Sequence, residues 1–300
     1  MAVITSGAHP KALLPGIKKW FGREYAKHPE VWGKVFEMDT STKSYEEDVE
    51  LTGFGLVPAK PEGDAVSYDS ETQGYVTRYV NATYGMGYIV TEEALEDDQY
   101  EKVSKRRSSA LAFSAQTTKE TVHANILNRA FNSSFLGGDG KEMIATDHPT
   151  VSGTQSNELA TAADLSEASL EDLCIQIMNA ANSRGLRIAI EPKKLIVPPA
   201  LHFDAKRIIE SELTLGTANN DKNVVGLLFK GGLATWTFLT DTDAWFVQTN
   251  CPRGLVHFKR RAGKFQTDND FDTSNAKAKY TERYSAGNSD WRGIFGTPGA

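Results

Sequence analysis

Cysteine is nearly missing from this chain of 300 residues, where Cys174 and Cys251 stand far apart and form no Cys-x-x-Cys pair. That excludes a disulfide framework and a cysteine-rich zinc site. No apolar run approaches the ~18 residues of a membrane span. Runs such as residues 224–229 are core-sized. The six histidines show no His-x-x-x-His spacing and none sits beside a cysteine, so no metal centre is legible. The charged start and apolar stretch of a secretory signal are absent too. A net charge of −6 excludes a polyelectrolyte built to grip nucleic acid. What is present, 40% apolar and 10% aromatic residues, is enough for a real core. This balance points to a soluble protein of a reducing compartment with one large or two moderate domains.

The charge is unevenly spread. Residues 1–34 carry Lys11, Lys18, Lys19, Arg23, Lys27 and Lys34 against only Glu24 and Glu30. Trp20, Phe21, Tyr25 and Trp32 lie among them, and Pro10, Pro15 and Pro29 limit regular structure to a short helix at most. Two readings stay open: an amphipathic helix packed on its own domain, or an arm that docks on another subunit or faces a polyanion. From residue 37 to 71 the sign reverses, with Glu46, Glu47, Asp48 and Glu50 in an alternating run and Glu62, Asp64 and Asp69 further on. A Pro/Gly-rich stretch at 53–64 separates that run from an extended one at 75–84. Together they predict a long β-hairpin with a broad tip. It is too polar to make a core, and a two-stranded ribbon alone is marginal in water.

No glycine or proline occurs from residue 88 to 136. Thr91 suits an N-cap, acidic residues follow it, and an apolar stripe runs through Leu95, Val103, Leu111, Ala115, Val122, Ile126 and Ala130. A continuous helix over about 91–131 would be ~60 Å long, against the ~30 Å of a compact domain. Beyond a polar linker at 152–161 the pattern becomes α/β. Ser166 caps a helix carrying Leu170, Leu173, Cys174 and Ile177. Residues 194–197 read as a buried strand, Pro198-Pro199 starts a helix, and a flexible loop spans 216–223. Strands follow at 234–239, 244–249, 255–258 and 276–284.

Chemistry finds little support. Gly138-Asp139-Gly140-Lys141 resembles the end of a phosphate loop, but Phe135 replaces its first glycine and Glu142 its Ser/Thr, so a glycine-rich turn is preferred. Asp241-Thr242-Asp243 reads as a solvated turn. Thr146-Asp147-His148-Pro149 makes an ordinary Asx-type turn stopped by proline. There is no Gly-x-Ser-x-Gly elbow and no Gly-x-Gly-x-x-Gly fingerprint. No catalytic, cofactor-binding or metal-binding residue is assigned, and the chain is not expected to be an enzyme. An unpartnered hairpin, strut and arm describe a subunit of a symmetric assembly.

The order of basic arm, hairpin, long helix, α/β middle and returning strands resembles tailed-phage major capsid proteins of the Hong Kong 97-type fold. More specifically it is similar to the Mu-type major head subunits. Thr146-Asp147-His148-Pro149, Leu195-Ile196-Val197-Pro198-Pro199 and Leu239-Thr240-Asp241-Thr242-Asp243-Ala244-Trp245-Phe246 carry the likeness. Asp270-Phe271-Asp272-Thr273, Glu282-Arg283-Tyr284-Ser285 and Ser289-Asp290-Trp291-Arg292-Gly293 extend it to the end. The N-terminal third matches by layout alone.

That resemblance implies an α+β fold. Its parts would be an N-arm over 1–44, an E-loop over 45–90, a peripheral (P) domain with its spine helix over 91–160, an axial (A) domain over 161–252, and P-domain return strands over 253–300. It implies pentamers and hexamers that form an icosahedral shell around double-stranded DNA in a virion, assembled in the cytoplasm of a bacterial host. Partners would be the chain itself, a portal and a decoration protein, with no membrane. Many relatives begin with a cleaved scaffolding segment; none is legible here, so a separate scaffolding protein is expected. Some relatives join an E-loop lysine to a neighbour's asparagine, and Lys60 is the local candidate. Trp20, Phe21, Trp32, Phe54, Lys60 and Tyr79 are the expected inter-subunit residues. Lys18, Lys19, Lys259, Arg260 and Arg261 are the expected DNA-facing ones. An encapsulin-like compartment shell is the alternative within the fold, and a cytosolic hydrolase using Asp147, His148 and Asp241 the one outside it.

Overall fold

Two four-stranded sheets and one long helix organise the computed structural model, which describes residues 10–91, 93, 100–213, 222–270 and 275–300. The chain opens with α1 (Pro10–Lys27) and α2 (Trp32–Val35), then β1 (Glu37–Thr40). β2 (Tyr45–Leu51) pairs antiparallel with β3 (Gln73–Val80) as a separate two-stranded hairpin. The expected strand at 75–84 is therefore broken. After Asn81, β4 (Ala82–Val90) leaves the hairpin and pairs instead with a strand near the C-terminus.

The first sheet has the order β1, β10 (Val256–Asn269), β11 (Ala276–Gly287), β4. Its core side is covered by α3 (Tyr100–Asn128), a helix of 29 residues, or ~43 Å at ~1.5 Å per residue. The expected capping end of this helix and most of the expected loop at 216–223 fall outside the described residues. Helix α1 packs along α3 and, unlike the short helix that the prolines imply, runs through Pro15. Phe21 explains why it stays there: its ring stacks on Phe265 at 4.7 Å and lies 5.2 Å from Tyr280. Burying one such side chain contributes ~1.5–3 kcal/mol.

The second sheet runs β12 (Ile294–Thr297), β9 (Trp245–Thr249), β7 (Pro192–Val197), β8 (Leu233–Thr235). Side chains alternate across a strand. Accordingly Leu195, Val197, Val247 and Phe295 face α4 (Glu167–Met178) and α5 (His202–Glu210), while Ile196, Phe246 and Ile294 face the layer of α2 and α3. Burial on both faces is why β9 carries no outward polar edge; all five of its residues are buried. Ser166 caps α4 as its sequence implies, accepting from the Ser169 backbone amide. A small hairpin of β5 (His148–Thr150) and β6 (Gly153–Gln155) occupies part of the expected linker.

The buried stripe of α3 differs from the apolar one expected. Gln116, Lys119, Glu120 and His123 lie inside, between Leu111 and Leu127. Each has a partner, which is what makes burial of such groups tolerable. Lys119 donates to Glu282 at 2.6 Å, and Glu120 accepts from the Val31 amide and the Trp236 indole, both at 2.7 Å. His123 and His257 meet ring to ring, Nε2 to Nδ1, at 2.9 Å. The Nδ1 of His123 faces the Lys119 carbonyl at 2.6 Å, so it carries the proton and its Nε2 accepts from His257.

Candidate assembly surface

The hairpin sorts its residues by face. On β2, Asp48 and Glu50 turn toward the body of the subunit, whereas Val49 and Leu51 are exposed on the other side. Thr52 and Thr72 close the ladder with mutual hydrogen bonds near 3.1 Å. Beyond them the chain broadens into a tip that turns at Gly63, whose φ of 85° suits glycine. On that tip Leu56, Val57 and Tyr68 are 82%, 94% and 96% exposed. Apolar exposure of this kind marks an interaction surface when it is contiguous along one element.

The expected inter-subunit residues divide into two groups. Phe54 and Lys60 lie exposed on the tip. Phe21, Trp32 and Tyr79 are buried in their own subunit, and Trp20 is half-buried. Trp32 sits 4.7 Å from both His123 and His257, and Tyr79 4.9 Å from Phe258. The arm described in this structure therefore follows the reading of an amphipathic helix on its own domain, because its aromatics complete that domain's core. Lys18, Lys19, Lys259, Arg260 and Arg261 are exposed, the last three at register shifts in the β10–β11 ladder. None of the five forms an ion pair among the described residues.

His148 is more than a turn residue. It is buried, stacked flat on Trp291 at 4.5 Å, and its ring nitrogens meet Asp139 at 2.6 Å and Asn157 at 3.0 Å. Asn157 also bonds the Met143, Trp291 and Ile294 carbonyls, so this cluster ties the 139–157 region to the C-terminal segment. Asp147 pairs with Lys141, and Asp241 accepts from the amides of its own turn, Asp243 at 3.0 Å. The three residues of the hydrolase alternative thus have separate partners. Sequence reasoning missed the Lys119, His123 and Glu282 cluster, although Lys119 and His123 stand one helical turn apart.

Solved structures from phages and from a virus-like particle are similar to this chain over most of its length. A virus-like particle from Pyrococcus furiosus matches with TM-score 0.53 at 13% identity, covering 94% of this chain and 97% of that one. A chain of the solved structure of Mycobacterium phage Patience matches at TM-score 0.55 and 10% identity, covering 98% and 88%. The capsid of bacteriophage JBD30 decorated with minor capsid protein trimers matches at 0.54 and 15% identity, covering 71% and 92%. No curated protein sequence matches the chain. At these identities the likeness defines the fold, the α+β capsid fold of Hong Kong 97 type.

The family model for phage capsid proteins matches residues 74–296, about three quarters of the chain. The chain belongs to that family and is a structural capsid protein, not a hydrolase.

Proposed function

We propose that this chain is the repeating subunit of an icosahedral phage head, related to the Mu-type head subunits, that assembles as pentamers and hexamers around double-stranded DNA. The observation that carries this reading is the hairpin tip, whose Leu56, Val57 and Tyr68 are exposed in the single subunit. A neighbouring copy would bury them, and closed symmetry would repeat the contact around each capsomer. In this reading residues 45–80 form the E-loop, the sheet of β10 and β11 with α3 forms the P domain, and the sheet of β7 and β9 forms the A domain. Phe54 and Lys60 are its inter-subunit residues. Lys18, Lys19, Lys259, Arg260 and Arg261 supply local positive charge for DNA, since the whole chain carries −6. A separate scaffolding protein, a portal and a decoration protein are its further partners, and the host cytoplasm is its place of assembly.

Expression with the scaffolding protein should give shells or capsomers by electron microscopy. A monodisperse 32.9 kDa monomer at every concentration would sink the proposal. A second reading within the same fold, which the virus-like particle from Pyrococcus furiosus shares, is a compartment shell that encloses cargo enzymes. The contents decide: nuclease-protected DNA in particles from infected cells favours the head, and a co-purifying enzyme favours the compartment.

A further inference from the structure

Three carboxylates of the hairpin meet three arginines of the body. Arg253, in the turn before β10, grips Asp48 with two parallel hydrogen bonds, Nε to Oδ2 at 2.9 Å and the terminal amine to Oδ1 at 2.8 Å. Arg292, buried before β12, stands 3.5 Å from Glu50, which also accepts from Ser183. Arg184, in the turn after α4, reaches Asp69 at 2.7 Å and the Ser70 carbonyl beside it. Arg253 is the one described non-glycine residue in the left-handed region, at φ 58°. Side chains disfavour that backbone, so an arginine there is tied to where its guanidinium must point.

Apolar contact between hairpin and body is strongest at the root; further out the Tyr75 ring lies against Gly138 and its hydroxyl donates to the Ser289 carbonyl at 3.4 Å. Tyr79 is buried with Val256 and Phe258, while Val49, Leu51 and Val76 further out are exposed. A cleft of about 380 Å³ lies under the hairpin, lined in part by Glu50, Tyr75, Asp139 and Thr150. The root is also where the chain turns. Asn81 is the single residue between β3 and β4, held by Ser41 at 2.7 Å and by Ser285 at 3.1 Å.

We propose that these three arginines form a releasable clasp: they hold the hairpin at one angle on its own subunit and free it to swing about Tyr79 and Asn81 when the charges are screened or captured by another chain. A hydrophobic seal would not let go in this way. Partly exposed ion pairs such as Arg253 with Asp48 and Arg184 with Asp69 do, because each is individually weak and salt shortens its reach; Arg292, buried and also paired with Asp290, depends least on its hairpin carboxylate. The acidic face of β2 is thereby explained without a partner molecule. The clasp lies inside one subunit, so its test stands whether or not the shell reading holds.

The experiment places spin labels at Ala65→Cys on the tip and Lys206→Cys on α5 of dilute full-length subunits, both positions being exposed. Cys174 and Cys251 are buried and stay unlabelled. Pulsed electron resonance should give one narrow distance distribution at low salt. That peak should be lost in about 1 M salt, where the Debye length is ~3 Å. It should also be lost in the Arg184→Gln, Arg253→Gln chain, checked by circular dichroism for folding, and be retained in Val49→Ala. Asp69→Arg combined with Arg184→Asp should restore the narrow peak that either change alone degrades. A peak that survives both the salt and the double arginine variant overturns the clasp. So does a distribution already broad in the unaltered chain at low salt. Should the arginine variant not fold, the salt series on the unaltered chain decides.

Discussion

Around β7 and β9 the interior is mainly apolar, with Leu195, Ile196, Val247 and Phe295 set in apolar clusters on both faces of one sheet. Under β10 and β11 the interior instead holds Lys119, Glu282 and the pair His123 and His257, tied by directed hydrogen bonds. Both are closed to water, yet they respond differently to change. An apolar core loses stability by the volume removed and relaxes in part. A buried polar cluster fails when one member is deleted, because the survivor keeps its desolvation cost. The first design tolerates variation, and the second fixes how α3, α2 and the sheet must meet.

The sharpest way to test that contrast is Lys119→Met, which strands the Glu282 carboxylate. It should cost ~3–5 kcal/mol in urea unfolding, and Glu282→Leu added to it should recover most of the loss. Leu195→Ala should cost ~2–5 kcal/mol by the same measurement, with no partner change able to rescue it. Equal behaviour of the two sites would erase the distinction.

Acid should separate the two interiors as well. Burial pushes His123 down to about 4; burial, with the neighbouring His123, pushes His257 down to about 3. Both rings are thus neutral in the folded chain, while in the unfolded chain they take up protons near the ordinary value of 6.5. The unfolded state therefore binds more protons as pH falls, and stability drops from about pH 6.5 downward, levelling only below the folded values. Burial also pushes the Glu120 and Glu158 carboxyls up toward the window from about pH 7 to 5, but both are kept when the two histidines are replaced, so their share cancels in the comparison. Urea midpoints in that window should slope for the unaltered chain and flatten in His123→Leu with His257→Leu. A flat profile for the unaltered chain would refute the assignment.

The smallest effect on stability belongs to the tip. Val57→Asp should change unfolding by no more than ~0.5 kcal/mol, since nothing in the subunit covers that side chain. Shell yield by sedimentation should nevertheless fall sharply. Loss of folding in step with assembly would mean that the tip belongs to the subunit's own core.

How far this was legible in sequence depends on range. Ser166 and the apolar spacing after it announce α4, and residues 194–197 announce β7, because caps and stripes are local signals. The hairpin and the long helix are equally local. His123 and His257 lie 134 residues apart, and Lys119 and Glu282 163 apart, so no spacing brings them together. The polar stripe of α3 looks like a solvated face until β11 is laid across it. Likewise Trp32 and Phe21 read as sticky and unpartnered until the sheet that receives them exists. Asn81 ends the hairpin because β11 recruits β4, a pairing that no turn signal marks.

The placement of the last strands bears on timing during synthesis. β10 and β11 form the middle of one sheet, and β12 pairs with β9 in the other. A ribosome-bound chain that stops before Val256 has neither sheet complete: β4 and β1 lack their partners and β9 has an open edge. At about 5–20 residues per second, the stretch between the end of β4 at Val90 and the start of β10 at Val256 takes roughly 8–33 s to make, and β4 waits that long for its sheet. Folding of the first sheet is thus held back until its central strands exist, however early its edge strands are made.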